Sequence, residues 1–227
     1  MRRPGLFVTF ATLACAALFA LAPGLDLFVS GLFFGAGGFA GDHSAVGVMR
    51  AALYPAPLAL ALGAAALWAA ARARLWRGPA PSGWAVIFLA ASFALGPGLV
   101  ANVILKDHSH RPRPVQVSEF GGPSPYRPFY RTDGACATNC SFVSGEASAA
   151  FWTLAPASLA PPPYRCAAIG AALAFGMLVS LLRLALGGHF LSDVVFAGLF
   201  TALVVIGMHR AVLTRRPVQS KLEQPRL

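Results

Sequence analysis

The sequence predicts an all-α integral membrane bundle of about six transmembrane helices, folded as one domain over residues 1–227. Three observations carry that expectation. Hydrophobic residues make up 57% of the chain and charged residues 11%, and mean hydropathy is +0.65; soluble domains rarely show such a balance. The apolar residues gather in runs close to the roughly 20 residues that a helix needs to cross a bilayer. Clusters of arginine and lysine stand at alternate ends of those runs. A helix satisfies its own backbone hydrogen bonds in lipid, so each run is read as a helix.

The first run, about 6–24, follows Arg2 and Arg3. It has the look of a signal peptide ending at Ala20-Leu21-Ala22, but Pro23 directly after that site argues for a retained span. The second, about 51–71, is followed by Arg72, Arg74 and Arg77, and Pro55 and Pro57 predict a kink in its first turns. The third, about 84–105, contains Pro97 and ends at Lys106. The fourth, about 147–161, is the shortest. Arg165 separates it from the fifth, about 166–186. The sixth, about 190–213, leads into Arg210, Arg215, Arg216, Lys221 and Arg226.

With a cytoplasmic N-terminus, all of these cations except Lys106 fall on the cytoplasmic side, as the positive-inside rule asks. The net charge of +10 then reads as a topology signal and as contact with anionic headgroups, not as nucleic-acid binding. The expected location is a bacterial inner membrane, with both termini cytoplasmic and the loop 106–146 periplasmic. The segment 26–43 is aromatic and weakly charged. It reads either as an outer interfacial stretch that admits a lipid or as a loop packed over the bundle.

The loop 106–146 breaks the topology rule, because it carries Lys106, Arg111, Arg113, Arg127 and Arg131 on the outer side. Cations kept there against the rule point to an anionic ligand. Pro112 and Pro114 stiffen the stretch KDHSHRPRP and hold Arg111 and Arg113 at a set reach from Lys106. Guanidinium forks and an ammonium suit a phosphate. Further on, Ser144-Gly145 opens the fourth span, where free N–H groups and the helix dipole favour an anion; Ser141 or Ser144 is also expected to cap the helix. Arg183, His189 and Asp193 mark the junction of the last two spans. The i,i+4 spacing sets His189 and Asp193 on one helix face. A carboxylate on one ring nitrogen leaves the other as nucleophile or base. Spans one, three and five end outside and spans two, four and six begin there, so Lys106, Glu146, Arg183 and His189 meet at one membrane face.

These residues resemble the type-2 phosphatidic acid phosphatase superfamily. Its pattern is Lys, six residues, Arg-Pro; then Pro-Ser-Gly-His; then Ser-Arg, five residues, His, three residues, Asp. This chain has Lys106…Arg113-Pro114, Val143-Ser144-Gly145-Glu146 and Leu182-Arg183…His189…Asp193. The resemblance implies a metal-independent membrane lipid phosphatase of about six spans. In it His189 attacks phosphorus, Asp193 orients His189, and Lys106, Arg113, Arg183, Ser144 and the Gly145 amide hold the phosphoryl oxygens. The segment 26–43 also resembles the corresponding part of bacterial lipid A phosphatases of this family. Lipid A, undecaprenyl diphosphate, phosphatidylglycerol phosphate and phosphatidic acid are all candidate substrates.

Glu146 replaces the family's histidine, the acid of the leaving oxygen. Three roles stay open: a protonated general acid, a carboxylate paired with Arg111, His108 or His110, or a mark of altered activity. A diphosphate substrate would need the acid less. The other classes to weigh are an inactive relative that binds lipid phosphates, and a transporter, which would carry its charges nearer mid-membrane. Asp107, His108 and His110 with Cys136 and Cys140 fit no zinc spacing, so no metal or other cofactor is expected. Asp107, His108 and His110 read instead as the site entrance or as tuners of Glu146. Cys136 and Cys140 are placed to form a disulfide in an oxidising compartment, with two free thiols as the alternative; Cys15 and Cys166 read as packing residues.

Overall fold

The computed structural model describes residues 4–214. Arg2, Arg3, Arg215, Arg216, Lys221 and Arg226 lie outside the described residues. The described residues form nine α-helices: α1 Pro4–Leu21, α2 Gly24–Gly31, α3 Ala45–Leu53, α4 Ala56–Arg72, α5 Gly83–Phe93, α6 Gly145–Phe151, α7 Leu154–Ser158, α8 Pro162–Ala185 and α9 Leu191–Met208. A wider π-helical stretch, Ala94–Lys106, prolongs α5 around Pro97.

Five of the expected spans are present as helices long and apolar enough to cross a membrane: Pro4–Leu21, Ala45–Arg72, Gly83–Lys106, Pro162–Ala185 and Leu191–Leu213. The second starts at Ala45 rather than near 51. Ser44 caps it by accepting from the Gly47 N–H at 3.2 Å. It breaks at Tyr54-Pro55, where the proline has no N–H to give the preceding turn.

The fourth expected span differs. Residues 147–161 are not one long helix but the short pair α6 and α7. Pro156 is the reason: it removes the bond to the Trp152 carbonyl, which accepts instead from the Ala155 N–H at 2.7 Å. The pair still runs antiparallel to α8, with Glu146 beside Arg183 and Phe151 against Gly176.

The outward faces are apolar and the interior holds small polar groups. Phe7, Phe10 and Leu13 of α1 are exposed, whereas Ser92, Ser148 and Thr201 are buried. Such hydroxyls join helices where lipid offers no hydrophobic drive between them. Ser148 and Thr201 hydroxyls stand 2.7 Å apart, linking α6 to α9. The Trp152 indole N–H donates to Ser92 Oγ at 2.9 Å. α9 is the central element and packs against α1, α2, α5 and α6. Near its N-terminal end Phe196 meets Phe129 and Phe142 of the long loop, with ring centroids 4.9 and 5.6 Å apart. That aromatic plug seats the loop on the bundle. The segment 26–43 packs over the same end: Phe39 lies against Gly187, and the Ala40 N–H donates to the Ala185 carbonyl at 3.1 Å.

Candidate active site

The expected convergence is present. A cleft of about 560 Å³ joins Arg50, Lys106, Arg113, Glu146, Arg183 and His189 to an apolar lining that includes Leu53, Leu58, Phe93 and Val179. These side chains come from α3, the end of the long α5 rod, the loop, α6, α8 and the turn into α9. Cations beside apolar walls at a membrane-spanning bundle suit an anionic headgroup with acyl chains.

The turn that carries His189 is built from two glycines. Gly187 has φ +59 and lies against Phe39 and Val115, so no side chain fits there. Gly188 lets the Arg183 guanidinium lie on the backbone; a Cβ would stand 2.8 Å from Cζ. His189 follows, almost fully buried. Its Nδ1 is 2.7 Å from the Ser141 carbonyl oxygen, an acceptor only, so Nδ1 carries the hydrogen. Nε2 is then the ring nitrogen left for the cleft. Burial pushes His189 down to about 4 against the pull of Asp193, with Arg183 and Arg113 acting in the same sense as burial. The ring is neutral at neutral pH.

Asp193 was expected to bond the ring directly. The structure gives that bond to the Ser141 carbonyl, and Asp193 Oδ2 stands 3.6 Å from Nδ1. The reason is its place in α9. As the third residue of the helix it reaches back to accept from the Phe190 N–H at 2.7 Å, and it accepts from the Ser141 hydroxyl at 2.5 Å. Ser141 therefore holds both partners of the pair, one through its carbonyl and one through its hydroxyl.

Arg113 donates to the Asn139 carbonyl at 2.8 Å. Arg183 Nε is buried without a hydrogen-bond partner, an unsatisfied donor beside the cleft. Gly145 lies on the cleft wall beside Asn102. Ser144 does not: it is fully buried and its hydroxyl accepts from the Ala147 N–H at 3.3 Å, capping α6. Cys136 and Cys140 are joined, with Cα atoms 5.7 Å apart, which removes both thiols as metal ligands. The short ring they close contains Asn139, the acceptor for Arg113.

Glu146 pairs with none of Arg111, His108 and His110. Its partner is Arg50 of α3, through two parallel bonds of 2.8 and 2.6 Å, with Arg183 Nη1 3.5 Å away. Burial raises the Glu146 pKa, but the Arg50 hydrogen bond and the Arg183 charge outweigh it, and the carboxyl sits below its ordinary value. It is ionised in the resting site.

Arg111 is likewise not in the cleft. It is fully buried and stacks on Phe190, 4.3 Å from the ring centre. It donates to Asp193 Oδ1 at 2.5 Å, Asp26 Oδ2 at 2.7 Å, Ser192 Oγ at 2.8 Å and the Arg127 carbonyl at 2.8 Å. The carboxylates of Asp193 and Asp26 hold its pKa above the ordinary arginine value although burial alone would lower it.

Sequence reasoning thus missed Arg50, Asp26 and Ser192, and read Ser141 only as a candidate helix cap, not as the residue that holds His189 and Asp193. Arg50 and Asp26 carried a usable signal, since each is a lone charge in an apolar stretch, where charges are retained for a reason. The serines carried none.

Comparison with known proteins gives the family. The PAP2 superfamily model matches residues 84–217. A lipid A 4'-phosphatase of Rhizobium leguminosarum is 31% identical over 92% of this chain and 96% of that protein. One of Francisella tularensis subsp. novicida (strain U112) is 44% identical over 51% of this chain and 53% of that protein. One of Rhizobium etli is 40% identical over 57% and 50%. The chain thus spans about half the length of two of these relatives and nearly all of the third. No solved structure matches the chain. With the three motifs gathered on one cleft and the match running through all of them, the chain belongs to the PAP2 superfamily.

Proposed function

We propose that this membrane protein hydrolyses a phosphate monoester of a lipid through a phosphohistidine on His189. The observation that carries the reading is the ring itself: neutral, its Nδ1–H committed to Ser141, and facing a cleft that also holds Lys106, Arg113 and Arg183. Nε2 attacks phosphorus as the bond to the lipid oxygen breaks. The three cations and the Gly145 amide take up the charge on the equatorial oxygens. Water then displaces the histidine and releases phosphate. The apolar part of the lining holds acyl chains. Three lipid A 4'-phosphatases among the relatives make a lipid A phosphate the substrate to try first.

Glu146 serves this reading as an ion-pair partner. Locked to Arg50 and ionised, it holds no proton to give at neutral pH, and the leaving oxygen takes its proton from water. The site lies on the periplasmic face of an inner membrane, with six passes, α6 and α7 together making the fourth, and with both termini cytoplasmic. Arg72 at the end of α4 and Arg74 and Arg77 just after it support that orientation.

The test is phosphate release from lipid A, phosphatidic acid and a polyprenyl diphosphate by the protein in detergent, with and without EDTA. Release that persists in EDTA and a base-stable phosphoenzyme that vanishes in His189→Ala are expected. Binding of the lipids with no release from any of them would leave a phosphate-lipid-binding protein without turnover.

A further inference from the structure

A second, buried cluster of charges lies outside the cleft. Behind His189, Arg111 bridges two carboxylates, Asp193 at 2.5 Å and Asp26 at 2.7 Å. All three are essentially inaccessible, with 0%, 0% and 1% exposure for Arg111, Asp193 and Asp26. Asp26 is also fully occupied. Its Oδ1 accepts from the Ser192 N–H at 2.8 Å and its Oδ2 from the Ser192 hydroxyl at 2.6 Å. Tyr126 OH stands 3.3 Å from Oδ2.

One guanidinium needs one carboxylate. A second buried carboxylate is unfavourable unless another charge meets it. The cluster of Asp26, Arg111 and Asp193 has a net charge of −1, and the group next to it is His189. As Nε2 bonds to phosphorus and Nδ1 keeps its hydrogen, the imidazole ring gains one positive charge, which it loses again when water displaces it. The charges that line the cleft with His189 mostly oppose this: Arg183 of α8, Arg113 of the loop, Lys106 at the end of the α5 rod and Arg50 of α3, against Glu146 of α6. Asp193 by itself would be neutralised by Arg111. Asp26 takes up the Arg111 charge and leaves that of Asp193 for the ring.

We propose that Asp26 of α2, acting through Arg111, is a positioning residue for His189 that keeps one negative charge in balance with the phosphohistidine ring. The assignment rests on the phosphohistidine reading and extends it to a residue outside the stretch 84–217 that the family model matches.

The experiment measures kcat, KM, Tm and the rate of phosphoenzyme formation, by base quench with a lipid labelled in the transferred phosphate. It compares wild type, Asp26→Asn, Asp26→Glu and Trp152→Phe. The last breaks the remote bond to Ser92 and serves as a control for lost stability. Asp26→Asn is expected to slow phosphoenzyme formation and kcat about tenfold, a shift of roughly one pKa unit in the balance of ring charge, with KM within about twofold. Asp26→Glu restores part of the rate. Trp152→Phe lowers Tm and leaves kcat unchanged. If Asp26→Asn fails to accumulate, Asp26→Thr makes the same charge change and is assayed in membranes. A neutral variant with wild-type kcat, or a kcat loss that Trp152→Phe reproduces at equal Tm, overturns the assignment. A wild-type protein without a phosphoenzyme overturns the reading beneath it.

Discussion

Glu146→Gln separates the two chemical roles open to this carboxylate. The amide keeps the shape and can still accept one hydrogen bond from Arg50, but it loses the charge and turns an N–H₂ toward a donor. The wild-type pair is bidentate at 2.8 and 2.6 Å, and its side chains are 30% and 17% exposed. A charge-assisted bond of this kind contributes about 1.5–3 kcal/mol when dry. With a third of Arg50 in solvent, about 1–2 kcal/mol is the better figure. The variant should therefore lose about 1–2 kcal/mol of stability. A general acid contributes roughly 10²–10⁴ in rate, whereas loosening an ion pair at the rim of the site costs less, about tenfold at most. Single-turnover phosphate release, normalised to folded protein and followed from pH 5 to 8, reads the difference. A loss within about tenfold and a pH profile of unchanged shape are expected. A loss of a hundredfold or more, with the basic limb of the profile abolished, would refute the pairing role and restore Glu146 as the acid.

Three further outcomes follow from named contacts. Because His189 is pushed down to about 4 from 6.5, the unfolded chain binds a proton there before the folded one does. Its contribution to stability is therefore lost as pH falls from about 6.5 toward 4, and Tm in detergent should drop over that window less steeply in His189→Gln. Gly188→Ala sets a methyl against the Arg183 guanidinium and should lower kcat/KM at least tenfold with little change in Tm; a wild-type value would mean that Arg183 does not bind the phosphate. Reduction of Cys136–Cys140 frees the ring that aims Asn139 at Arg113. Dithiothreitol should raise KM severalfold and leave kcat nearly unchanged, whereas Cys136→Ser treated with dithiothreitol should show no further change.

Membrane residence, five long helices, the order of the three motifs and the gathering of Lys106, Arg183 and His189 at one end were legible in the chain, because each depends on local composition or on spacing along one helix. An 18-residue apolar run has one low-energy answer in lipid, and alternation of helix direction then decides which ends meet. The partner of each charge was not legible. Glu146 lies 96 residues from Arg50, Asp26 lies 166 from Ser192, and the ring of His189 is bonded to a backbone carbonyl that no side-chain pattern announces. Arg111 and Arg113, two residues apart in a proline-stiffened stretch, face different tasks: one is sealed on Phe190 between two carboxylates and the other lines the cleft. Local spacing treats them alike. Only the packing of α2 and the long loop over the end of α9 decides which guanidinium is dry and paired and which is left to meet a phosphate.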